Sequence, residues 1–170
     1  MDGWPGYEGL ADAHYGRLRR LGELLLGDRH EAEEVVQDVF MKAWVGANGA
    51  AAPDDWAAWL TRVTINACRD RRRAGWWLRF RRASEPVESL PLRVQEPSPA
   101  DLALSEETQR RVWRAFRTLP ARQREVVVLR YVEELPTAAV AATLGVSEGS
   151  VKRHLFRAIR RLRAALGGRP

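Results

Sequence analysis

The residues best placed to do chemistry lie near the C-terminus. Lys152, Arg153, Phe156 and Arg157 share one side of a run whose other side is Val151, Leu155, Ala158 and Leu162. The apolar set recurs at i, i+4, i+7 and i+11, the period of a helix with one buried stripe. The cations and the ring are therefore left free to touch a ligand. Guanidinium groups offer forked donors to phosphates and to guanine edges, and an exposed phenyl ring can meet a thymine methyl. Ser147 is a natural N-cap for this helix, and Ser150 lies within its first turn. Upstream, Val140-Ala141-Ala142-Thr143-Leu144-Gly145-Val146 closes a short helix and turns. Ala141 is small enough for two helices to cross, and Gly145, four positions on, tolerates positive φ. Together these residues predict a helix-turn-helix whose second helix enters a major groove.

A second constellation is Arg62, Asn66, Arg69 and Arg73, spaced four, three and four, which aligns them on one helix face. Beside them the spacing predicts an apolar stripe of Trp56, Trp59, Leu60, Val63 and Ala67, with Asp54 or Asp55 as the cap of a helix running to about Arg73. Arg62 has an alternative partner in an acid such as Asp55. Trp76, Trp77 and Phe80 follow, interleaved with Arg79, Arg81 and Arg82, and read either as a core cap or as a docking patch.

These basic segments belong to a segregated charge pattern. Residues 1–50 hold 5 basic and 9 acidic groups, residues 51–82 hold 8 and 3, residues 83–109 hold 1 and 6, residues 110–135 hold 7 and 3, and residues 136–170 hold 7 and 1. Two basic blocks around an acidic, Pro-rich stretch suggest two surfaces for a polyanion. The overall charge is +6 over 170 residues, a length for one domain or two small ones.

The positioning elements read as helices throughout. Leu10, Leu18, Leu21 and Leu25 line a first helix that Gly27 ends. Asp28 and Glu31 form a capping-box pattern for the next. That helix points Ala32, Val35, Val36, Val39, Phe40 and Ala43 inward, with Glu33, Glu34, Gln37, Asp38 and Met41 on its other face. Residues 46–53 read as a loop from their Gly, Asn and Pro content. Pro86, Pro91, Pro97 and Pro99 mark residues 83–103 as an extended linker. Helical pattern resumes near Leu104 with Val112, Phe116 and Leu119, and Pro120 suits the N1 position of a helix over about 121–134. No β-alternation of useful length and no internal repeat appears.

Several classes are disfavoured. One cysteine, Cys68, and three scattered histidines, His14, His30 and His154, give neither an internal disulfide nor metal-ligand spacing. Cys68 reads as a core-edge residue and His154 as a histidine at the edge of the docking face. No apolar run approaches a membrane span, and no secretory leader is visible. No phosphate-cradling glycine loop or nucleophile–base pair supports an enzyme, a small-molecule substrate or a cofactor.

With these motifs placed, nearly the whole chain resembles a bacterial RNA polymerase sigma factor of the extracytoplasmic-function (ECF) type, in the sigma-70 family. Gly27-Asp28 and Ala32 through Trp44 resemble region 2.2. Trp59 through Asn66, with Asp70 and Arg73, resembles regions 2.3–2.4. Leu119 through Val126, continuing through Gly145 to Lys152, resembles regions 4.1–4.2. The first motif helix carries Ala138 and Ala139 where the family usually has a glutamate. The resemblance implies an all-α chain of two small helical domains, residues 1–82 and 104–170, joined by the linker 83–103.

It also implies roles. Glu34, Gln37, Asp38 and Met41 would bind bacterial core RNA polymerase. Asn48, Trp56, Arg62, Asn66, Arg69 and Arg73 would hold the opened minus-ten element, where catching a flipped base costs unstacking energy and calls for a shaped pocket. Ser147, Ser150, Lys152, Arg153, Phe156 and Arg157 would read the minus-thirty-five element of promoter DNA. The linker's negative charge would mimic the transcript in the polymerase's RNA path. An anti-sigma factor is an expected partner and the cytoplasm the expected location. The rivals are a stand-alone helix-turn-helix regulator and a helical adaptor for acidic proteins.

Overall fold

In a computed structural model of the chain, residues 6–47, 53–79 and 99–167 are described. Among them there are seven helices and no strand: α1 (Gly6–Leu26), α2 (Arg29–Ala47), α3 (Trp56–Arg79), α4 (Pro99–Arg117), α5 (Ala121–Tyr131), α6 (Thr137–Leu144) and α7 (Glu148–Ala165). The chain divides into two compact units, one built on α1–α3 and one on α4, α5, α7 and the larger part of α6.

In the first unit the leucines of α1 meet the aliphatic face of α2. Leu10, Leu18, Leu21 and Leu25 are fully buried, as are Ala32, Val35, Val36, Val39, Phe40 and Ala43. Tyr15 stacks on Phe40 with ring centroids 6.2 Å apart. Gly22 faces Ala32 so closely that a Cβ added at Gly22 would lie 3.0 Å from the Ala32 Cβ. The two helices can approach this far only because both residues are small. The Asp28 carboxylate accepts the Glu31 N–H at 2.9 Å, capping the start of α2. Asp55 does the same for α3, accepting from Ala58 N–H at 2.9 Å.

Four sequence expectations are corrected here. The inward face of α3 is Leu60, Thr61, Thr64, Ile65 and Cys68, whereas Trp56, Trp59, Val63 and Ala67 are only half-buried. The bulk of the tryptophans draws the predicted stripe around the helix. Thr61 can face inward because its hydroxyl donates to Ala57 O at 2.7 Å and accepts from Arg17 Nη1 at 3.0 Å. Cys68 lies fully in the core rather than at its edge. Helix α3 also runs past Arg73 to Arg79, since nothing from Ala74 to Arg79 breaks it except Gly75, at a cost of about 1 kcal/mol. Gly46 and Ala47 belong to α2 rather than to the loop, while residues 48–52, Asn48 included, lie outside the described residues.

In the second unit α4 begins at Pro99, inside the predicted linker, because proline is compatible with a helix's first turn. Residues 83–98 lie outside the described residues. On α4 Ala115 and Phe116 are buried and Val112 is exposed. Val112 lies one turn earlier on the same side of α4, so the buried part of this face starts at Ala115, and Trp113 stacks on Phe116 at 5.5 Å. Pro120 takes the N-cap position of α5, one residue before the expected N1, a shift as small as the fraying of helix ends. Arg124 closes the C-terminus of α4 by donating to Arg117 O and Leu119 O at 3.1 and 3.3 Å. Arg111 donates to Leu166 O at 3.2 Å, just past the C-terminus of α7.

Helix α5 ends at Tyr131, short of 134, because Glu134 adopts φ +53°. A β-carbon in that region costs about 1–2 kcal/mol, and glycine loses about 0.5–1 kcal/mol more backbone entropy on folding. Glu134→Gly is therefore expected to stabilise the second unit by about 0.5–1 kcal/mol. A rise in the urea midpoint of that unit checks it, and no rise would show the turn to be unstrained.

Candidate nucleic-acid and polymerase interface

The helix-turn-helix is built as its residues demand. Helix α6 buries Val140, Ala141 and Leu144. Gly145 then turns the chain at φ +65°, and Val146 N–H donates back to Ala141 O at 3.0 Å. Only a residue without a β-carbon adopts that φ without strain. Ser147 follows in extended conformation as the N-cap of α7, accepting from Ser150 N–H at 3.2 Å. The two hydroxyls are 3.0 Å apart. Ser147 is thus occupied in holding the helix start.

Helix α7 docks through Val151 and Ala158, both fully buried. Leu155 and Leu162 are half-buried rather than enclosed, and Ile159 shares their exposure. On the opposite side Lys152, Arg153, Phe156 and Arg157 are all exposed, Phe156 at 62%. Four side chains suited to bases and phosphates therefore stand on one face of a capped helix. The sequence reading missed Arg160, whose guanidinium lies over the Phe156 ring, 5.7 Å from its centroid. The i, i+4 spacing is the signal that could have found it.

His154 sits at the edge of this helix, half-buried, with its Nδ1 out of water and without a hydrogen bond. Burial lowers its pKa first, and Arg157, Arg122 and Arg153 lower it further, against Glu125. Because the folded pKa lies below the unfolded value, the unfolded chain takes up the proton more readily. Stability of the second unit should thus fall as pH drops below about 6.5, the ordinary histidine value. Urea midpoints of wild type and His154→Gln between pH 7.5 and 5.5 check this, with the variant expected to lose less.

In the first unit the exposed face of α3 carries Arg62, Asn66 and Arg73, with Arg69 half-buried and donating to Asn66 Oδ1 at 3.2 Å. All four stand together as the spacing predicts. Arg62 has no ion pair with Asp55, whose carboxylate caps α3 instead. Trp56 meets Trp59 edge to face at 5.6 Å, and both are half-buried, so neither is wholly core nor wholly free. The side chains of Trp76 and Trp77, and all of Phe80, lie outside the description.

On α2 Gln37, Asp38 and Met41 are exposed. Glu34 is already paired, with Arg71 of α3 at 2.6 Å and His30 at 3.3 Å. It therefore serves the α2–α3 packing as well as the surface. The sequence reading stopped at Met41, but the same face continues through Trp44 and Val45, 48% and 69% exposed. Their positions three and four residues after Met41 are the signal that extends it. Among the described residues no cluster of His, Cys, Asp or Glu could hold a metal, and no helix is long and apolar enough to cross a membrane.

Two helical units of this kind, one with a basic and an acidic surface and one with a helix-turn-helix, define a class. Residues 10–78 match the sigma-70 region 2 family and residues 109–162 the sigma-70, region 4 family. The chain is 34% identical over 161 residues to the ECF RNA polymerase sigma factor SigM of Mycobacterium tuberculosis, covering 95% of this chain and 77% of that protein. It is 28% identical over 159 residues to the ECF RNA polymerase sigma factor SigE of Mycolicibacterium smegmatis, covering 94% of this chain but only 61% of that longer protein. Its fold is similar to that of the sigma factor RpoE solved with the anti-sigma factor NepR from Bartonella quintana, at a TM-score of 0.73 and 24% identity over 95% of this chain and 96% of that one. The chain belongs to the ECF sigma factors of the sigma-70 family, transcription initiation factors that direct RNA polymerase to promoters and are not enzymes. The region 2 match sets aside the stand-alone regulator, which has no use for such a unit.

Proposed function

We propose that this chain joins bacterial core RNA polymerase through the outer face of α2 and reads promoter DNA at two places. Glu34, Gln37, Asp38 and Met41 make the polymerase contact. Arg62, Asn66, Arg69 and Arg73, with Trp56 and Asn48, hold the opened minus-ten strand. Lys152, Arg153, Phe156 and Arg157 read the minus-thirty-five duplex, with Ser150 beside the first turn and Ser147 fixing the helix that carries them. Residues 1–82 and 104–170 act as the two functional domains, and the acidic residues 83–103 follow the polymerase's RNA path. The cytoplasm is the place of action, and an anti-sigma factor is the expected restraint.

The observation that carries this reading is the division of α7. Its docking side is apolar and its outward side is cationic and aromatic, at a helix start held by Ser147. Run-off transcription on a library of promoter fragments, using core polymerase with and without this protein, tests it. New start sites that depend on the protein support the reading. No new starts and no co-migration with core polymerase would overturn it.

Arg157→Ala is expected to weaken promoter use by about 1–3 kcal/mol if the guanidinium grips a base in two places. The check is holoenzyme binding to the selected promoter and to variants at each position. Undiminished binding would remove Arg157 from the reading face.

A further inference from the structure

Phe156 is the most exposed of the large apolar side chains on α7, in a helix otherwise dominated outside by cations. A lone phenyl ring in water samples several rotamers and must be ordered before it can meet a base. Here the ring has a cationic neighbour. Arg160, one turn on, lays its guanidinium over the ring 5.7 Å from the centroid, within cation–π range. Arg160 is exposed, and no acid among the described residues competes for it. The other two such contacts among the described residues differ. Arg124 covers Phe116, which is buried, and also closes α4, while Arg130 lies over Tyr131 at the end of α5 rather than on α7.

We propose that Arg160 is a positioning residue that pre-orders the Phe156 ring, so that α7 distinguishes thymine from a base lacking the 5-methyl group in the upstream promoter element. This rests on the assignment of α7 as the reading helix. The guanidinium occupies one face of the ring and leaves its edge and other face for the groove. Holding the ring in place before binding removes an ordering cost worth about two- to tenfold in affinity. Contact with the methyl carries the discrimination. A planar guanidinium suits this better than an ammonium, because it stacks on the ring as well as attracting it.

The test uses holoenzyme and a duplex carrying a promoter obtained by the run-off selection. Each thymine of the upstream element is replaced in turn by deoxyuridine, which removes only the methyl. For the wild-type protein one position should lose about fourfold in affinity, the worth of one buried methyl. Arg160→Ala should bring that ratio close to one, and Arg160→Lys should leave it in between. Both variants carry exposed substitutions, and circular dichroism confirms that they are folded. Should Arg160→Ala keep the full thymine preference and lose only a salt-dependent share of affinity, Arg160 is a phosphate contact and the proposal is overturned. Should the wild type show no position sensitive to deoxyuridine, and Phe156→Ala bind as wild type, the assignment of Phe156 to the groove fails, and the proposal with it.

Discussion

Phe40→Ala is expected to remove about 3–5 kcal/mol from the first unit, the usual cost of deleting a buried phenyl ring. Phe40 is almost wholly enclosed, stacked on Tyr15 and flanked by Val36 and Val39 on the same helix. A helical unit of this size holds roughly 4–12 kcal/mol in total, so the loss is about a quarter of it at the least and the whole at the low end of that range. The functional consequence follows from geometry. The side chains proposed to meet polymerase are on the opposite face of the same helix, and their alignment depends on the inward face being packed. Urea unfolding of the full chain should show an early transition from the first unit and an unmoved one from the second. Holoenzyme formation should fall in parallel. Phe40→Leu, which keeps most of the volume, should cost less than about 1.5 kcal/mol. An alanine variant with the wild-type midpoint would mean that the α1–α2 packing is not what holds the unit.

Asp38→Lys is expected to do the opposite: little to stability and much to assembly. The side chain is exposed on α2, where substitutions usually change stability by less than about 0.5 kcal/mol. Against polymerase the reversal removes an attraction and adds a repulsion, a change of several kcal/mol when the pair is desolvated. Titration of labelled protein into core polymerase at two salt concentrations gives the answer. A loss of affinity of about 2–5 kcal/mol with unchanged helicity is expected, and Asp38→Asn should fall between. Wild-type affinity would place the docking surface elsewhere, with the exposed Trp44 and Val45 next to be tried.

Much of the fold is readable from residue types alone, for a physical reason. Where a helix buries only aliphatic side chains, as α1 and α2 do, the spacing of Leu and Val reports the inward face directly. Where burial falls to residues that can be either wet or dry, it does not. Thr61, Thr64 and Cys68 pack inward on α3 while two tryptophans stay half out, and nothing in the spacing separates those possibilities. Helix ends are similarly uneven. Asp28, Asp55 and Ser147 announce their caps, but Pro99 sits among linker prolines although it opens α4. The cationic face of α7 is legible because the apolar residues on the helix's other side recur at helical spacing. The Arg160–Phe156 contact is not, because cations on that helix are too numerous for any one to stand out.

The close approach of Gly22 to Ala32 makes the two positions a single locus under selection. A β-carbon at 22 must displace the one at 32, so a larger residue can be accepted at either site only after the other has shrunk or the helices have moved apart. Libraries randomised at one position alone should return almost nothing but the starting residue or its smallest neighbour. Libraries randomised at both should recover Gly22→Ala chiefly in company with Ala32→Gly. Lineages descending from this chain would then cross between those pairs by a compensated double step, with the outer side of α2 unchanged throughout.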